Sequence, residues 1–432
     1  MNIAIDLTPL QGPHLQRGVG QTLLNFLRNI DSQHKESHHF IFYLYEDNSD
    51  DVNNTINEQM FSSVEIRYIT EISKPKKPSN KILKIFYFAW LVLALPLKQH
   101  KGDPRLGGKE LSDVDFFFQF DQNQPLPKKR KVKSVLIAYD IIPYVLECDY
   151  LKSYSTVRRD GASRREAIKS SLKRWAYLQS LKINTRRAQK VLAISQHTKN
   201  DFMMYVKVPQ KKIEVCLLGI NPIINGSVCK DSQKVDRYVY TSWGSLPKKS
   251  SLPKKPFLLF VGGVDPRRKL VDLISAYNGL RAQGKEIALV LCGDTMLGWD
   301  KIPNTEVRDY LKHTSYLDDI YFLGFAEDSV KNWLYKNAVA FVYPSVYEGF
   351  GLPVLEAMQY STPVITYKNS SIGEIAGSAA IYTHDGSSIK KSVEDLLTST
   401  PARGKYKAMG EKQASRYLWS KTTNNTFKEL LS

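Results

Sequence analysis

Hydrophobic and polar positions alternate in a strand-then-helix order along the C-terminal half of the chain. Short β-branched or aromatic runs predict strands, and amphipathic stretches of helical length lie between them. Strands are predicted at 257–261, 287–292, 321–323, 338–342 and 363–366, with helices that include 270–283 and 328–336. This order is typical of a doubly wound parallel sheet, whose ligands bind beyond the carboxyl ends of the strands.

The N-terminal half follows the same order less regularly. Strands are predicted there at 2–6, 40–45, 64–68, 115–118, 134–139 and 190–193. Between the halves, residues 245–256 contain Ser-Leu-Pro-Lys-Lys twice, and a stretch so rich in proline and lysine does not join a sheet. We therefore predict an α/β fold with two Rossmann-like doubly wound domains, at 1–244 and 257–402, joined by a linker at 245–256.

Charge changes this picture by pointing to an anionic partner. The 432 residues carry 61 Lys plus Arg against 43 Asp plus Glu, a formal net charge of +18. Nucleic acid, a phosphate compound or an acidic membrane surface would each satisfy that charge, but no nucleic-acid recognition module is present, so no nucleic acid is expected. The four cysteines are scattered, without the spacing of a disulfide framework, and Asp6 stands where a signal peptide needs an apolar core. Both observations favour a cytoplasmic location.

One apolar run, 85–97, lies between Lys84 and Lys98. Its 13 residues are too few to cross a bilayer, which takes about 20. The aromatic residues and flanking lysines suit a membrane interface, although an ordinary buried helix fits them as well. Together with a basic stretch of helical pattern at 158–187, the run predicts a peripheral protein on the anionic inner face of a membrane.

A glycine-rich loop with candidate chemistry follows the predicted strand 338–342. Gly349 and Gly351, with Phe350 between them, let a ligand approach the backbone closely. Leu352 begins a predicted helix at 352–360, whose free amide groups and positive dipole end favour an anion. This loop therefore predicts a phosphate-binding site.

Two carboxylates accompany that site, Glu348 in the loop and Glu356 in the helix. Acids beside an anion site are explained by a ligand with hydroxyl groups on both sides of a diphosphate, because each carboxylate accepts hydrogen bonds from sugar or ribose hydroxyls. The alternative is that Glu356 only complements the dipole of its helix.

Cations for a diphosphate are predicted in a second loop, directly after the strand 257–261. Gly263 stands there ahead of the consecutive bases Arg267, Arg268 and Lys269. Guanidinium groups bind phosphate oxygens in pairs and stabilise the charge of a departing diphosphate. A solvated helix start has the same composition, so the second loop alone does not decide.

A third candidate lies near the N-terminus, where Gly18 and Gly20 precede a predicted helix at 21–30. Glycines at a helix start favour phosphate approach, but Gly-x-Gly without a third glycine does not predict a nicotinamide site. The sequence has no His-Glu-x-x-His motif, Walker loop or Gly-x-Ser-x-Gly elbow. We therefore expect neither a metal ion nor a cofactor.

Taken together, these segments resemble one enzyme family. The likeness is carried by Gly18-Val-Gly20, the segment 191–201 around Ser195, the loop 262–268, and residues 344–357. They are similar to retaining nucleotide-sugar glycosyltransferases of the GT-B fold, the family of sucrose synthase and many bacterial polysaccharide glycosyltransferases. The two glutamates with seven residues between them, Glu348 and Glu356, are the most specific mark.

The resemblance implies roles for the candidate residues. Glu348 would contact the donor sugar, Glu356 the ribose, and Arg267 or Arg268 the diphosphate, with Gly18 and Gly20 approaching the donor phosphates across a cleft. Domain 1–244 would bind the acceptor, residues 403–432 would pack back on it, and domain 257–402 would bind the donor.

The implied reaction is metal-independent, retaining transfer of a hexose-type sugar from a nucleoside-diphosphate sugar. The acceptor would be a saccharide, membrane- or lipid-linked. Asp140 is counted with the catalytic residues because it follows Tyr139 where the family often has His-Asp. Tyr139 in place of that histidine keeps open the alternative of a non-catalytic partner subunit of the same fold.

Overall fold

The computed structural model describes residues 1–11, 18–47, 52, 56, 61, 64–69, 111–127, 132–223 and 252–431. The chain divides into two compact units, unit 1 with residues 1–219 and 419–432 and unit 2 with residues 220–418. The apolar run 85–97 and the linker residues 245–251 lie outside the described residues.

Unit 1 is built on a parallel sheet of seven described strands in the order β3-β2-β1-β4-β5-β6-β7. The strands are β1 (Asn2–Asp6), β2 (His39–Tyr45), β3 (Val64–Ile69), β4 (Phe116–Gln119), β5 (Lys133–Ala138), β6 (Lys190–Ala193) and β7 (Ile213–Val215). Ala4 of β1 pairs with Ile41 on one side and Phe117 on the other, so β1 is central. Since such strands are buried on both faces, they are continuous hydrophobic runs, as the five buried residues 40–44 illustrate.

Described helices of unit 1 lie between these strands along the chain. They are α1 (Gly18–Arg28), α2 (Ser32–Ser37), α3 (Ile142–Val145), α4 (Tyr154–Arg159), α5 (Arg164–Arg187) and α6 (Gln196–Asp201). The predicted basic helix at 158–187 is wrong in its extent, because Gly161, at φ 80°, separates α4 from α5. Ser163 then begins α5 with a capping box, in which its side chain and that of Glu166 bond each other's backbone amides.

Unit 2 is built on six described parallel strands in the order β10-β9-β8-β11-β12-β13. The strands are β8 (Phe257–Val261), β9 (Ala288–Cys292), β10 (Ile320–Phe322), β11 (Ala340–Tyr343), β12 (Val364–Tyr367) and β13 (Ala380–Thr383). This is the Rossmann strand order, in which the chain reverses its direction of winding between β8 and β11. The two-domain GT-B fold predicted from the sequence is confirmed.

The helices of unit 2 are α7 (Leu270–Ala282), α8 (Thr305–Lys312), α9 (Asp328–Asn337), α10 (Leu352–Gln359), α11 (Ser370–Ala376), α12 (Gly386–Thr398) and α13 (Thr400–Ala414). Most predicted strands are present with shifts of one or two residues, for example 340–343 against the predicted 338–342. The short strands β7 and β13 were not predicted.

The final helix, α14 (Trp419–Leu431), returns to unit 1. Its Thr423 hydroxyl donates to the carbonyl of Asn29 at 2.8 Å, and its Phe427 ring stacks on Phe26 with centroids 6.0 Å apart. Phe427 is fully buried. This hydrogen bond and the buried aromatic packing therefore hold α14 against unit 1.

The division into units differs from the sequence prediction at both boundaries. Residues 403–418 were expected on unit 1, yet α13 packs against α10 and α12 of unit 2. Gly410 permits this, because a Cβ there would lie only 3.3 Å from Met358 Cγ. Ile220 also belongs to unit 2, where it forms a bridge with Leu418, so unit 2 begins before the predicted linker.

Among the described residues, the helices are all too short or too polar to cross a lipid bilayer.

Candidate functional site

The candidate site of unit 2 lies at the reversal of strand order. β8 and β11 are hydrogen-bonded neighbours, and the loops that leave their carboxyl ends go to opposite faces of the sheet. The two loops are joined directly, because the amide of Val346 donates to the carbonyl of Arg267 at 2.8 Å. Rossmann sheets bind their ligands in the crevice that such loops create.

The loop after β8 is shaped by a short 3-10 helix, Pro266–Arg268. Asp265 caps it, accepting from the amide of Arg267 at 3.1 Å, and also pairs with the Arg267 guanidinium at 2.7 Å. Lys269 follows in the left-handed region at φ 39° and is exposed, directly before α7. The three consecutive bases therefore separate, with Arg267 and Arg268 turned inward and Lys269 at the surface.

Glycines at the strand ends make room for the arginines. A Cβ on Gly262 would lie 2.7 Å from Arg268 Nη1, and one on Gly263 would lie 3.1 Å from Asp294 Oδ1. At the end of β9, a Cβ on Gly293 would lie 2.2 Å from the Gly262 carbonyl oxygen. Because these three positions are glycines, the ends of β8 and β9 approach each other closely. The Arg268 guanidinium lies in space that side chains at these positions would occupy.

The carboxylate of Glu348 is the centre of the cluster. Its Oε1 accepts hydrogen bonds from the hydroxyls of Tyr343 and Ser345, at 2.8 and 2.9 Å. The Arg267 guanidinium lies against both carboxylate oxygens at 3.4 and 3.5 Å, and Arg268 Nε lies 3.6 Å from Oε1. With 11% of its side chain exposed, Glu348 is nearly removed from solvent.

The charge of Glu348 survives this burial. Burial alone raises the pKa of Glu348, but the charges of Arg268 and Arg267, with the hydrogen bonds from Tyr343 and Ser345, outweigh it and hold the pKa below its usual value. Two guanidinium groups face Glu348, and Asp265 pairs with Arg267, so the two positive and two negative charges of the cluster balance. The guanidinium groups are already oriented by these carboxylates, and an anion beside them meets donors that need no further ordering.

Hydroxyl groups of the neighbouring loop fix the backbone after Glu348. The Ser371 hydroxyl lies 2.7 and 2.9 Å from the carbonyl oxygens of Glu348 and Phe350, and the Glu348 amide donates to Ser370 Oγ at 2.9 Å. Gly351, at φ 112°, then turns the chain into α10. As a result Gly349 to Leu352 bring the first amides of α10 to the same strand end as the arginines.

Glu356 is held by different partners. Its Oε2 accepts from the hydroxyl of Tyr335 at 2.9 Å and lies 3.7 Å from Lys331 Nζ, both on α9. Lys331 also contacts Asp328 at 3.1 Å, and the charge of Glu356 raises the pKa of Lys331 above its ordinary value. Glu356 therefore has specific side-chain partners in addition to the dipole of α10.

Sequence reasoning missed Tyr335 and Lys331. Both lie on a correctly predicted helix, four residues apart and so on one face, but nothing in that spacing names Glu356 as their partner. The signal exists only in three dimensions, because α9 and α10 are packed together.

The remaining candidates lie in unit 1. Gly18 opens α1 and is exposed, and Gly20 is buried within its first turn. Asp140 follows β5, where its Oδ1 accepts from the amide of Ile142 at 3.0 Å. Tyr139 beside it is buried, and burial raises the pKa of its phenol well above the usual value. The phenol of Tyr139 therefore keeps its proton at neutral pH, whereas an imidazole changes its charge in that pH range.

No group of His, Cys, Asp and Glu side chains within the described ranges is arranged to hold a metal ion.

A comparison with known families matches part of the chain. Residues 245–415 match the family model described as glycosyl transferases group 1, a range that contains both loops and both glutamates of the site. This part of the chain is similar to the group 1 glycosyltransferases.

Curated relatives agree with that family. The chain is 30% identical over 182 residues to O-antigen chain mannosyltransferase B of Escherichia coli, covering 41% of this chain and 46% of the relative. It is 28% identical over 243 residues to the serotype-specific mannosyltransferase WbdA of Escherichia coli, covering 55% of this chain and 28% of the relative. The matches thus span less than half of these relatives' own length.

Solved structures of the same fold match the whole chain. Anabaena Alr3699/HepE in complex with UDP and glucose aligns with TM-score 0.62 and 14% identity, covering 100% of this chain and 99% of the other. WaaG, a glycosyltransferase involved in lipopolysaccharide biosynthesis, aligns with TM-score 0.56 and 15% identity, covering 98% of both. At such identity the likeness shows the GT-B fold alone.

Proposed function

We propose that the chain is a retaining glycosyltransferase, which moves a hexose-type sugar from a nucleoside-diphosphate sugar to a saccharide acceptor in surface polysaccharide or glycoconjugate synthesis. The observation that carries the proposal is the buried, ionised Glu348 held between Arg267 and Arg268 at the strand-order reversal. Guanidinium groups held in this orientation suit the diphosphate of a sugar donor.

The arginines stabilise the departing group. The bond between the sugar's anomeric carbon and the diphosphate oxygen breaks, the acceptor hydroxyl oxygen bonds to that carbon on the same face, and the hydroxyl proton passes to the diphosphate. Negative charge increases on the diphosphate during this step, beside the guanidinium groups and the first amides of α10. Since both arginines are already oriented by Glu348, little reorganisation accompanies the reaction.

The two glutamates divide the recognition of the donor. Glu348 Oε1 accepts the short hydrogen bonds from Tyr343 and Ser345, whereas Oε2 has the longer 3.5 Å contact with Arg267 and would accept a sugar hydroxyl. Glu356 Oε2 is engaged by Tyr335, which leaves Oε1 for the ribose. Each carboxylate is thereby held chiefly through one oxygen and would accept ligand hydroxyls through the other.

Similar proteins support the classes of donor and acceptor. The names of the relatives include O-antigen chain and serotype-specific mannosyltransferases. The structurally similar Alr3699/HepE holds UDP-glucose. From these we infer a nucleotide-sugar donor and a saccharide acceptor, lipid-linked and presented at a membrane, on whose inner face the protein would act.

The test is a thermal-shift measurement with UDP, GDP, dTDP and their sugar conjugates. A nucleotide at ~100 times its Kd stabilises the protein by about 2.7 kcal/mol. We expect one base to produce the shift, and we expect the Glu356→Ala variant and the Arg267→Ala/Arg268→Ala variant to lose it.

Activity is then measured as release of nucleoside diphosphate on addition of membrane extract, with the stereochemistry of the product read by NMR. A folded protein that responds to no nucleotide would contradict the proposal and favour a non-catalytic subunit of the same fold.

A further inference from the structure

Helix α5 exposes a row of large apolar side chains. Ile168, Leu172 and Trp175 have exposed fractions of 47%, 42% and 47%. Their spacing of four and then three residues places them on one face along about 10 Å of the helix. We call these three residues the α5 ridge. No other helix in the described ranges exposes three large apolar side chains.

The packing of α5 on unit 1 is carried by another side of the helix. Ala167, Ala176, Leu181 and Asn184 form the buried side of the same helix. Asn184 bonds there to the carbonyls of Gln122 and Gln124, at 3.1 and 2.6 Å. These buried residues pack α5 on unit 1. Among the described residues the ridge remains exposed to solvent, so its apolar side chains are available to a partner.

Positive charge surrounds the ridge. Residues 158–187 contain ten Lys or Arg and two Asp or Glu. Arg164 and Arg165 are exposed one turn before the ridge, and Arg186 is exposed three turns after it. At 100° per residue, Arg164 and Arg186 lie within about 40° of the direction of Ile168, so the cations stand at both ends of the apolar row.

We infer that the α5 ridge and its flanking arginines form a docking surface for a bilayer that contains anionic lipids. Trp175, Leu172 and Ile168 would enter the boundary between head groups and acyl chains, the depth at which tryptophan is most stable. The arginines would contact lipid phosphates on either side. The inference rests on the proposed function only for the lipid-linked acceptor, because vesicle binding requires no nucleotide.

Charge argues against a second copy of the chain as the occupant. Two copies meeting at this ridge would bring their flanking arginines together, and residues 158–187 themselves contain only Asp160 and Glu166 to offset ten basic residues. Glu166 is already engaged in the capping box of α5. An anionic surface instead satisfies the apolar and the basic groups simultaneously.

The experiment is co-sedimentation of the full chain with vesicles of phosphatidylcholine alone, or with a minority of phosphatidylglycerol. We expect binding to the anionic vesicles that weakens with added salt. Two variants should each weaken it about tenfold or more: Ile168→Gln/Leu172→Gln/Trp175→Gln for the apolar contacts and Arg164→Gln/Arg165→Gln for the charge.

Matched controls come from exposed side chains of unit 2. Tyr310→Gln/Phe325→Gln removes exposed rings, and Lys312→Gln/Lys336→Gln removes exposed charges. Both should bind as the unchanged chain does. The position of the ridge is checked by quenching with brominated phosphatidylcholine, which Trp175→Phe should reduce although the chain has 6 tryptophans.

Three results would overturn the inference: absence of binding to anionic vesicles, binding that the ridge variant retains, or concentration-dependent dimerisation that the ridge variant abolishes. The thermal shift with nucleotide is recorded on the same samples. A ridge variant that loses vesicles but keeps its nucleotide shift separates this surface from the donor site. Conversely, a chain that binds vesicles but shows no thermal shift with any nucleotide would contradict the proposed function and leave this inference standing.

Discussion

The hydroxyl of Tyr335 donates a 2.9 Å hydrogen bond to Glu356 Oε2. Burial raises the pKa of Tyr335 far above its ordinary value, so the phenol remains a donor at every working pH. Lys331 lies 3.7 Å from the same oxygen. Within the described part of the chain, Glu356 Oε1 receives no hydrogen bond, and this is the oxygen we assign to the ribose.

Replacing Tyr335 by phenylalanine should reduce discrimination between ribose and deoxyribose. The lost hydrogen bond frees the Glu356 carboxylate to rotate, which at roughly 1 kcal/mol corresponds to about a fivefold change. The measurement compares the Kd of a nucleoside diphosphate with that of its 2′-deoxy form. Tyr382→Phe is the control, because it also removes a tyrosine hydroxyl that donates a hydrogen bond. The acceptor there is the carbonyl of Gly377, not Glu356. Equal effects of the two variants on ribose preference would refute the assigned role.

Glu348→Gln should destabilise unit 2 and make its stability less dependent on acid. The variant removes the carboxylate that faces Arg268 and one of the two that face Arg267, a change that costs about 3 kcal/mol or more. The pKa of Glu348 is lower in the folded protein than its usual 4.5, so its contribution is complete above that value and is lost as the pH falls through the folded pKa. The melting temperatures of the two proteins should therefore converge below pH 4.5. A constant gap across the acid range would contradict the ionised state of Glu348.

Arg267→Ala should remove most of the preference for a nucleoside diphosphate over the monophosphate. A charge-assisted contact of this kind contributes about 2 kcal/mol, so we expect the ratio of the two Kd values to fall by at least tenfold. Arg281→Ala is a close match, since Arg267 and Arg281 each have 13% of their side chain exposed and each contacts two carboxylates. Calorimetry measures the Kd of the nucleoside diphosphate and of the monophosphate for both variants. If the ratio of the two Kd values is unchanged in Arg267→Ala, the diphosphate does not bind at Arg267.

Gly293→Ala should unfold or strongly destabilise unit 2. Its Cβ would lie 2.2 Å from the Gly262 carbonyl oxygen, and the backbone that supports the arginine loop would have to move, at a cost of roughly 2–5 kcal/mol. Gly404→Ala in α13 has no atom within 4 Å of the new Cβ and should stabilise by about 0.5–1 kcal/mol. Urea unfolding of the two variants measures the difference. Similar stabilities would show that the end of β9 is not constrained as described.

The amino-acid sequence by itself determined the elements and the chemistry of the central cluster. Buried parallel strands are continuous apolar runs, and glycines with Arg267, Arg268 and Glu348 follow two of them, so local patterns were enough to predict two Rossmann-like domains and a phosphate site. That β8 and β11 are neighbours follows from the strand order usual for this fold, which is why these loops could be paired in advance.

Only the tertiary structure decided which partners hold each glutamate and where the units divide. Tyr335 and Lys331 reach Glu356 because α9 packs against α10, and α13 belongs to unit 2 because Gly410 admits Met358. The exposure of Ile168, Leu172 and Trp175 was likewise invisible beforehand, since an apolar row on a helix predicts burial just as well. These features depend on contacts between elements distant in sequence, and neither periodicity nor spacing carries that information.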